Sequence, residues 1–292
     1  MTKEAAVSAP ALKTRQTSKS ELAKRIVWTV LLNLLGLIMI VPFAWMLSAA
    51  FKRPLDVFSY PIQWIPDYWY PNNFLKVWDP KFHMLRAYWN SAKISVIITF
   101  GAVVTSALAG YAFARIKFRR RNVIFLLYLA TMMIPTQVTM IPKYILFDQV
   151  HLLNTHLALI LPGIFTAFGT FLMRQAYLQI PMELTESAFI DGANEFTVWY
   201  KIITPLIKPA LASLALLVFM GNWNNYEEPL IFLTSRELLT IPLTLNTFMD
   251  EHIADYNLVM AAAASALVPV IIVFAIGQKY FVKGLTEGAV KG

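Results

Sequence analysis

Asn222, Asn224 and Asn225 surround Trp223 and run into Tyr226, and in another apolar stretch Thr136 and Gln137 follow Pro135. Amides and hydroxyls donate and accept hydrogen bonds without carrying charge. Aromatic rings stack on the apolar faces of sugars, so amides beside rings suit a polyhydroxylated solute. Asn222, Asn225 and Tyr226 are spaced i, i+3, i+4, which puts them on one face of a continuous helix. The same residues also serve as hydrogen-bonding glue between membrane helices. Gln137, Asn222, Asn225 and Tyr226 are thus the candidate substrate-pathway residues, with interhelical glue as the competing reading.

Other chemistries are poorly supplied. The chain has no cysteine, which excludes disulfides, thiolate metal sites and a cysteine nucleophile. His83, His151, His156 and His252 fall in or beside loops without HExxH spacing, so no metal site is expected. Neither a GxSxG elbow nor a GxxxxGK[ST] phosphate loop occurs, so the chain is not expected to be an enzyme or to hydrolyse ATP by that route.

The elements that must position these residues follow from composition. Of 292 residues, 58% are apolar and 14% charged, which is the balance of a membrane protein. A bilayer core of about 30 Å needs roughly 20 apolar helical residues. Six such runs are present, at about 26–50, 91–114, 122–144, 156–173, 210–233 and 257–281. Pro135, Pro142 and Pro229 are tolerable within them, since neighbouring helices can satisfy freed carbonyls. The fold class is therefore all-α, a bundle of six transmembrane helices over 26–281, between an N-terminal tail (1–25) and a C-terminal tail (282–292). Ala102, Ser106 and Gly110 on the second run suit close helix packing.

Seventeen of the 25 lysines and arginines fall on the side of the two termini, so the positive-inside rule predicts that both are cytoplasmic. The net charge of +8 and the Arg119-Arg120-Arg121 cluster are what topology demands at a helix end, and no nucleic-acid partner is predicted. The first apolar run is too long for a cleaved signal peptide and reads as an uncleaved anchor. The outer loop 51–89 is rich in aromatics, including Trp64, Tyr68, Trp69, Trp78 and Trp89, which suit interfacial anchoring and loop packing. No charged residue sits clearly at mid-bilayer, which weakens the reading as an ion-coupled carrier.

One cytoplasmic segment is polar and ordered, the stretch ESAFIDGANEFTVWYKIITPLIKP at 186–209 within a loop at 178–208. Pro181 suits a first helical position and Met182 to Ile190 has helical composition. Gly192 can supply a turn with positive φ. Asn194 can cap a second short helix that Pro205 stops near Ile203. The result is a helix-turn-helix hairpin suited to docking.

Glu186-Ser187-Ala188, then Gly192 after three intervening residues, then Ile202, Thr204 and Pro205, resembles the EAA loop of permease subunits of ATP-binding cassette importers, with Ser187 and Thr204 as mild departures. The stretches NWNNYEEPLIFL, LAGYAFARIKF, MMIPTQVTMIP and GLTEGAVKG are similar to the carbohydrate-uptake branch, the maltose-type second permease. The resemblance implies the type I importer permease fold, with alternating access in a bacterial or archaeal cytoplasmic membrane. It implies a second permease, two ATPase subunits that bind ATP and magnesium, and an extracytoplasmic sugar-binding protein engaged by the loop at about 234–256. It further implies that Glu186, Ser187, Ala188, Asp191 and Gly192 meet the ATPase, while this chain binds no cofactor itself. An importer of the same architecture for glycerol phosphate or peptide is the alternative, and a stand-alone secondary carrier is a third reading.

Overall fold

The computed structural model describes residues 19–251 and 255–289. The chain is helical throughout, with no strand among the described residues. In order, the helices are α1 (Lys19–Ala50), α2 (Asn72–Val77), α3 (Met84–Arg115), α4 (Arg121–Ala130), α5 (Thr136–Gln149), α6 (Leu157–Gly163) and α7 (Ala167–Leu178). They continue with α8 (Glu183–Ile190), α9 (Glu195–Thr197), α10 (Lys208–Trp223), α11 (Glu227–Phe232), α12 (Ile241–Glu251) and α13 (Tyr256–Ala289). Five stretches are long and apolar enough to cross a membrane: Ser20–Ala50, Met84–Arg115, Leu157–Leu178, Glu195–Trp223 and Tyr256–Lys279. A sixth crossing requires the pair formed by Arg121–Met133 and Thr136–Gln149, which bends by 96°.

That bend departs from the single helix expected over 122–144. The residue before a proline is driven out of the helical region, and Ile134, at φ −84° and ψ 117°, is extended ahead of Pro135. Pro142 by contrast lies inside α5 without ending it. The fifth run also departs from expectation, because α10 stops at Trp223 and α11 starts afresh at Glu227. Asn222 and Asn224 turn their amides back onto the carbonyls of Val218 (2.8 Å) and Met220 (2.9 Å). Asn225 Oδ1 accepts from the Glu228 backbone at 3.3 Å. Such side chains offer the backbone alternatives to a helical ladder, and Pro229 in an unbroken helix would clash with the carbonyl of Asn225. The continuous face expected for Asn222, Asn225 and Tyr226 does not form.

The core is built around α3. It packs on α7 and α10, with Ala102 and Ser106 fully buried. Close approach of α3 to α7 depends on Gly110, where an added Cβ would lie 2.6 Å from Met173 Cβ and 2.8 Å from the Arg174 backbone nitrogen. One apolar cluster (Tyr111, Ala114, Met173, Tyr177, Ala188, Val198, Ile203, Ile207, Leu214) lies at the end of the bundle that carries the α8–α9 hairpin. Another (Ile94, Ile98, Phe147, Leu159, Phe232, Leu233, Leu243) lies toward the opposite end. The apolar window of α1 buries none of its residues within this chain.

The loop after α1 is pinned by two polar residues that its composition did not single out. Buried Asn73 donates to the carbonyls of Ala50 (2.9 Å) and Lys52 (2.7 Å), and its Oδ1 accepts from Asn257 of α13 at 2.9 Å. Lys52, also buried, donates to the Gln63 carbonyl and lies 4.3 Å from the Trp45 ring. Burial pushes the Lys52 pKa down, an effect that Asp56 partly opposes. The loop aromatics pack on one another, Trp69 against Phe51 at 5.1 Å and Trp78 against Tyr88 at 5.0 Å. At the far end of the chain α13 runs on to Ala289, past the boundary expected at 281.

Candidate functional site

The hairpin is ordered by local chemistry. α8 has Glu183 and Glu186 in its first turn, where carboxylates favour the positive end of the helix dipole. It ends in a Schellman turn, in which Gly192 N–H donates to the Phe189 carbonyl and Ala193 N–H to that of Ala188, both at 3.0 Å. Gly192 has φ +82°, and a Cβ there would meet nothing within 4 Å. The demand for glycine is therefore conformational, and within this chain no crowding enforces it. Asn194 then caps α9, its Oδ1 accepting from Thr197 N–H at 2.8 Å.

The second arm does not stop at Pro205. A π-helical turn (Val198–Ile203) and a 3-10 turn (Thr204–Ile207) carry it directly into α10. A wider turn ahead of the proline removes the need for the hydrogen bond that Pro205 cannot donate and relieves its ring from the preceding carbonyls. The hairpin is thus continuous with a membrane-crossing helix.

Glu186, Ser187, Asp191 and Gly192 are exposed. Ala188 is not: at 5% exposure it belongs to the buried cluster with Tyr111, Tyr177 and Val198. Its small side chain seats the hairpin on the bundle, so it faces inward where the family resemblance would have it meet a partner. The outer face instead carries apolar groups that the motif does not name. Ile190 is 86% exposed, Phe196 65% and Tyr200 60%, and the Phe196 and Tyr200 rings stack at 6.1 Å. Their spacing on short helical arms is the signal in the sequence for this face.

Two side chains one turn apart on α3 hold both arms. Arg115, buried, donates to the carbonyls of Tyr177 (2.6 Å) and Ile180 and reaches the Met182 sulfur, all at the root of the first arm. Tyr111 OH donates to Glu195 Oε2 at 2.8 Å on the second arm. The Tyr177 hydroxyl accepts from Trp199 Nε1 at 3.1 Å and bonds the Thr204 hydroxyl at 2.9 Å, joining α7 to the π turn.

At the other end, the breaks in the third and fifth crossings face each other. Gln137 Nε2 donates to Glu227 Oε2 (3.3 Å), Lys143 Nζ pairs with Glu228 Oε1 (3.2 Å), and Asn225 Nδ2 donates to Glu228 Oε2 (3.1 Å). Gln137 and Asn225 therefore join one polar cluster, with Lys143, Glu227 and Glu228 added to it. Asn222 bonds its own helix, and Tyr226 packs against the neighbouring apolar cluster. Irregular backbone and charge in a membrane protein persist where they line a cavity or are buried in protein. Such an arrangement can hydrogen-bond a hydroxylated solute.

Nearby, His156 Nε2 donates to the Leu238 carbonyl at 2.9 Å. Burial lowers its pKa below the ordinary value, the carbonyl partly opposes this, and Lys93 adds to it. His252 and residues 1–18 lie outside the described residues.

Residues 102–287 match the family described as binding-protein-dependent transport system inner membrane component. The chain is 39% identical over 209 residues (70% of this chain, 75% of the relative) to the arabinooligosaccharides transport system permease protein AraQ of Halalkalibacterium halodurans. It is 32% identical over 279 residues (94% and 99%) to the trehalose/maltose transport system permease protein MalG of Thermococcus litoralis. In structure it is similar to a chain of a bacterial ABC transporter involved in the import of the acidic polysaccharide alginate, at TM-score 0.81 and 25% identity, covering 92% of this chain and all of that one.

Proposed function

The chain belongs to the family of binding-protein-dependent transport system inner membrane components, and on that premise we propose that it carries a sugar or oligosaccharide inward as half of a heterodimeric permease. It is a multi-pass permease of an ABC importer, a transport subunit with no enzymatic activity of its own. The substrate class rests on one observation, the agreement among relatives named for arabinooligosaccharides and trehalose/maltose over most of their length.

In the proposed assembly two ATPase subunits bind ATP and magnesium on the cytoplasmic side, the side of both termini. The α8–α9 hairpin docks on one of them. Exposed Ile190, Phe196 and Tyr200 beside Glu186 and Asp191 support this, since an apolar patch rimmed by charge is the usual anatomy of a docking face. Closure of the ATPases would move the hairpin, and through its anchors on α3 the bundle would switch between inward and outward access. The cluster of Gln137, Asn225, Lys143, Glu227 and Glu228 would line the outer mouth, where a binding protein delivers solute.

The test is uptake of labelled solutes by membranes that contain the complete system. ATP-dependent uptake of an arabino- or gluco-oligosaccharide, with sn-glycerol 3-phosphate and peptide excluded, is expected. Uptake of the phosphate or peptide in preference would move the chain to another branch of the same architecture. Uptake that survives removal of every ATPase would overturn the importer mechanism.

A further inference from the structure

We propose that α3 is the strut through which the two faces of the importer sense each other, with Asn90, Tyr111 and Arg115 as its positioning residues. The inference rests on the importer reading given above. At its outer end α3 presents Asn90, buried, whose Nδ2 donates to the backbone carbonyls of both Glu237 (2.8 Å) and Leu239 (3.0 Å). One residue on, Ser91 Oγ accepts from Ile241 N–H at 2.9 Å. These bonds fix the course of the segment leading into α12, within the 234–256 loop assigned to the binding protein. At its inner end the same helix fixes both arms of the hairpin through Tyr111 and Arg115.

The helix between these ends is suited to carry a displacement. Tyr111 stands 21 residues from Asn90, roughly 32 Å along the axis at about 1.5 Å per residue. Of the five long apolar stretches among the described residues, Met84–Arg115 contains no proline, whereas each of the others contains at least one. Proline and side-chain insertion into the ladder are the usual causes of kinks, and the fifth crossing is broken at Asn224 to Tyr226. At both ends of α3 side chains grip backbone atoms of the attached loops. A shift of the helix along or about its axis must therefore shift the loop and the hairpin together. A solute-loaded binding protein that moves the 236–241 segment would reach the ATPase by this route. Two other routes connect the same ends: the one through α10 passes the break at Asn224 to Tyr226 and the π turn, and the one through α6 and α7, which His156 ties to Leu238, passes the break between Gly163 and Ala167.

The measurement is ATP hydrolysis by the complete importer in proteoliposomes, with and without solute-loaded binding protein, for Asn90→Leu, Tyr111→Phe and the double variant. Tyr111→Phe keeps the ring against Tyr177 and removes only the bond to Glu195. Each single variant should retain its ATPase subunits and basal hydrolysis and lose stimulation by about fivefold or more, the span of a typical coupling energy. Because the two contacts act in series, the double variant should be no worse than the weaker single one. Stimulation at the wild-type level in either single variant, loss of ATPase from the purified complex, or a double effect equal to the product of the two would overturn the strut. If the wild-type complex itself shows neither stimulation nor uptake, the importer reading fails and the strut with it.

Discussion

Gly110→Ala should destabilise the protein, and the reason can be worked atom by atom. The new methyl would lie 2.6 Å from Met173 Cβ and 2.8 Å from the Arg174 backbone nitrogen. Carbon atoms prefer about 3.5–4.0 Å, so α3 and α7 would have to separate by roughly 1 Å. One of the clashing atoms is main chain and no rotamer change relieves it. The upper end of the overpacking range, about 3 kcal/mol, therefore applies. Alanine recovers about 1 kcal/mol over glycine inside a helix, which leaves a net loss of about 2 kcal/mol. For a chain of this size that is a thermal midpoint lower by about 4–8 °C. Gly221→Ala in α10 is the control, because a Cβ there meets nothing within 4 Å. The assay is thermal unfolding of the purified protein in mild detergent for both variants beside wild type. A midpoint for Gly110→Ala equal to or above wild type would refute the packing argument, since the propensity gain alone would then be visible.

Gly192→Ala should cost about 1–2 kcal/mol, the penalty of a left-handed conformation for a residue with Cβ, and Gly192→Asn should cost less; unfolding midpoints rank the two. Ile190→Asp should leave the midpoint of the isolated chain unchanged and sharply reduce recovery of the ATPase, because its side chain is 86% exposed and lies on the proposed docking face. Burial holds the pKa of His156 below its ordinary value, so in the window between the two the unfolded chain binds more protons. Stability should then fall as pH drops below about 6.5 and stay flat above it. His156→Gln should reduce the slope, as read from midpoints between about pH 5 and pH 7.5.

Much of this architecture could be read along the chain because its determinants are local. The turn at Gly192 and the cap at Asn194 depend on residues within a few positions of each other, and both occur where the sequence places them. The breaks in the third and fifth crossings were less legible. They are joined by Gln137–Glu227 and Lys143–Glu228, partners 90 and 85 residues apart, and hydropathy smooths over such contacts. Pro205 does not end the arm although a proline normally ends a helix, and nothing local announces the π turn that absorbs it. Ala188 carries a motif position, yet motif spacing does not say which side faces the bundle; the apolar residues around it on α3 and α7 decide that. In the sequence Arg115 is one more basic residue near a helix end, and only the fold shows that its guanidinium holds the carbonyls at the foot of the hairpin.

In the proposed mechanism the hairpin is the place where ATP-driven motion enters this chain. This is tested most directly by purifying the tagged chain from native membranes in mild detergent, as wild type and as Glu186→Lys. Glu186 is exposed in the first turn of α8, so the substitution should leave the chain folded and inserted while reversing the charge of its docking face. The wild type is expected to bring down a second permease and a P-loop ATPase, and Glu186→Lys to keep the permease and lose the ATPase. Full recovery of the ATPase with Glu186→Lys, with uptake unchanged, would contradict it.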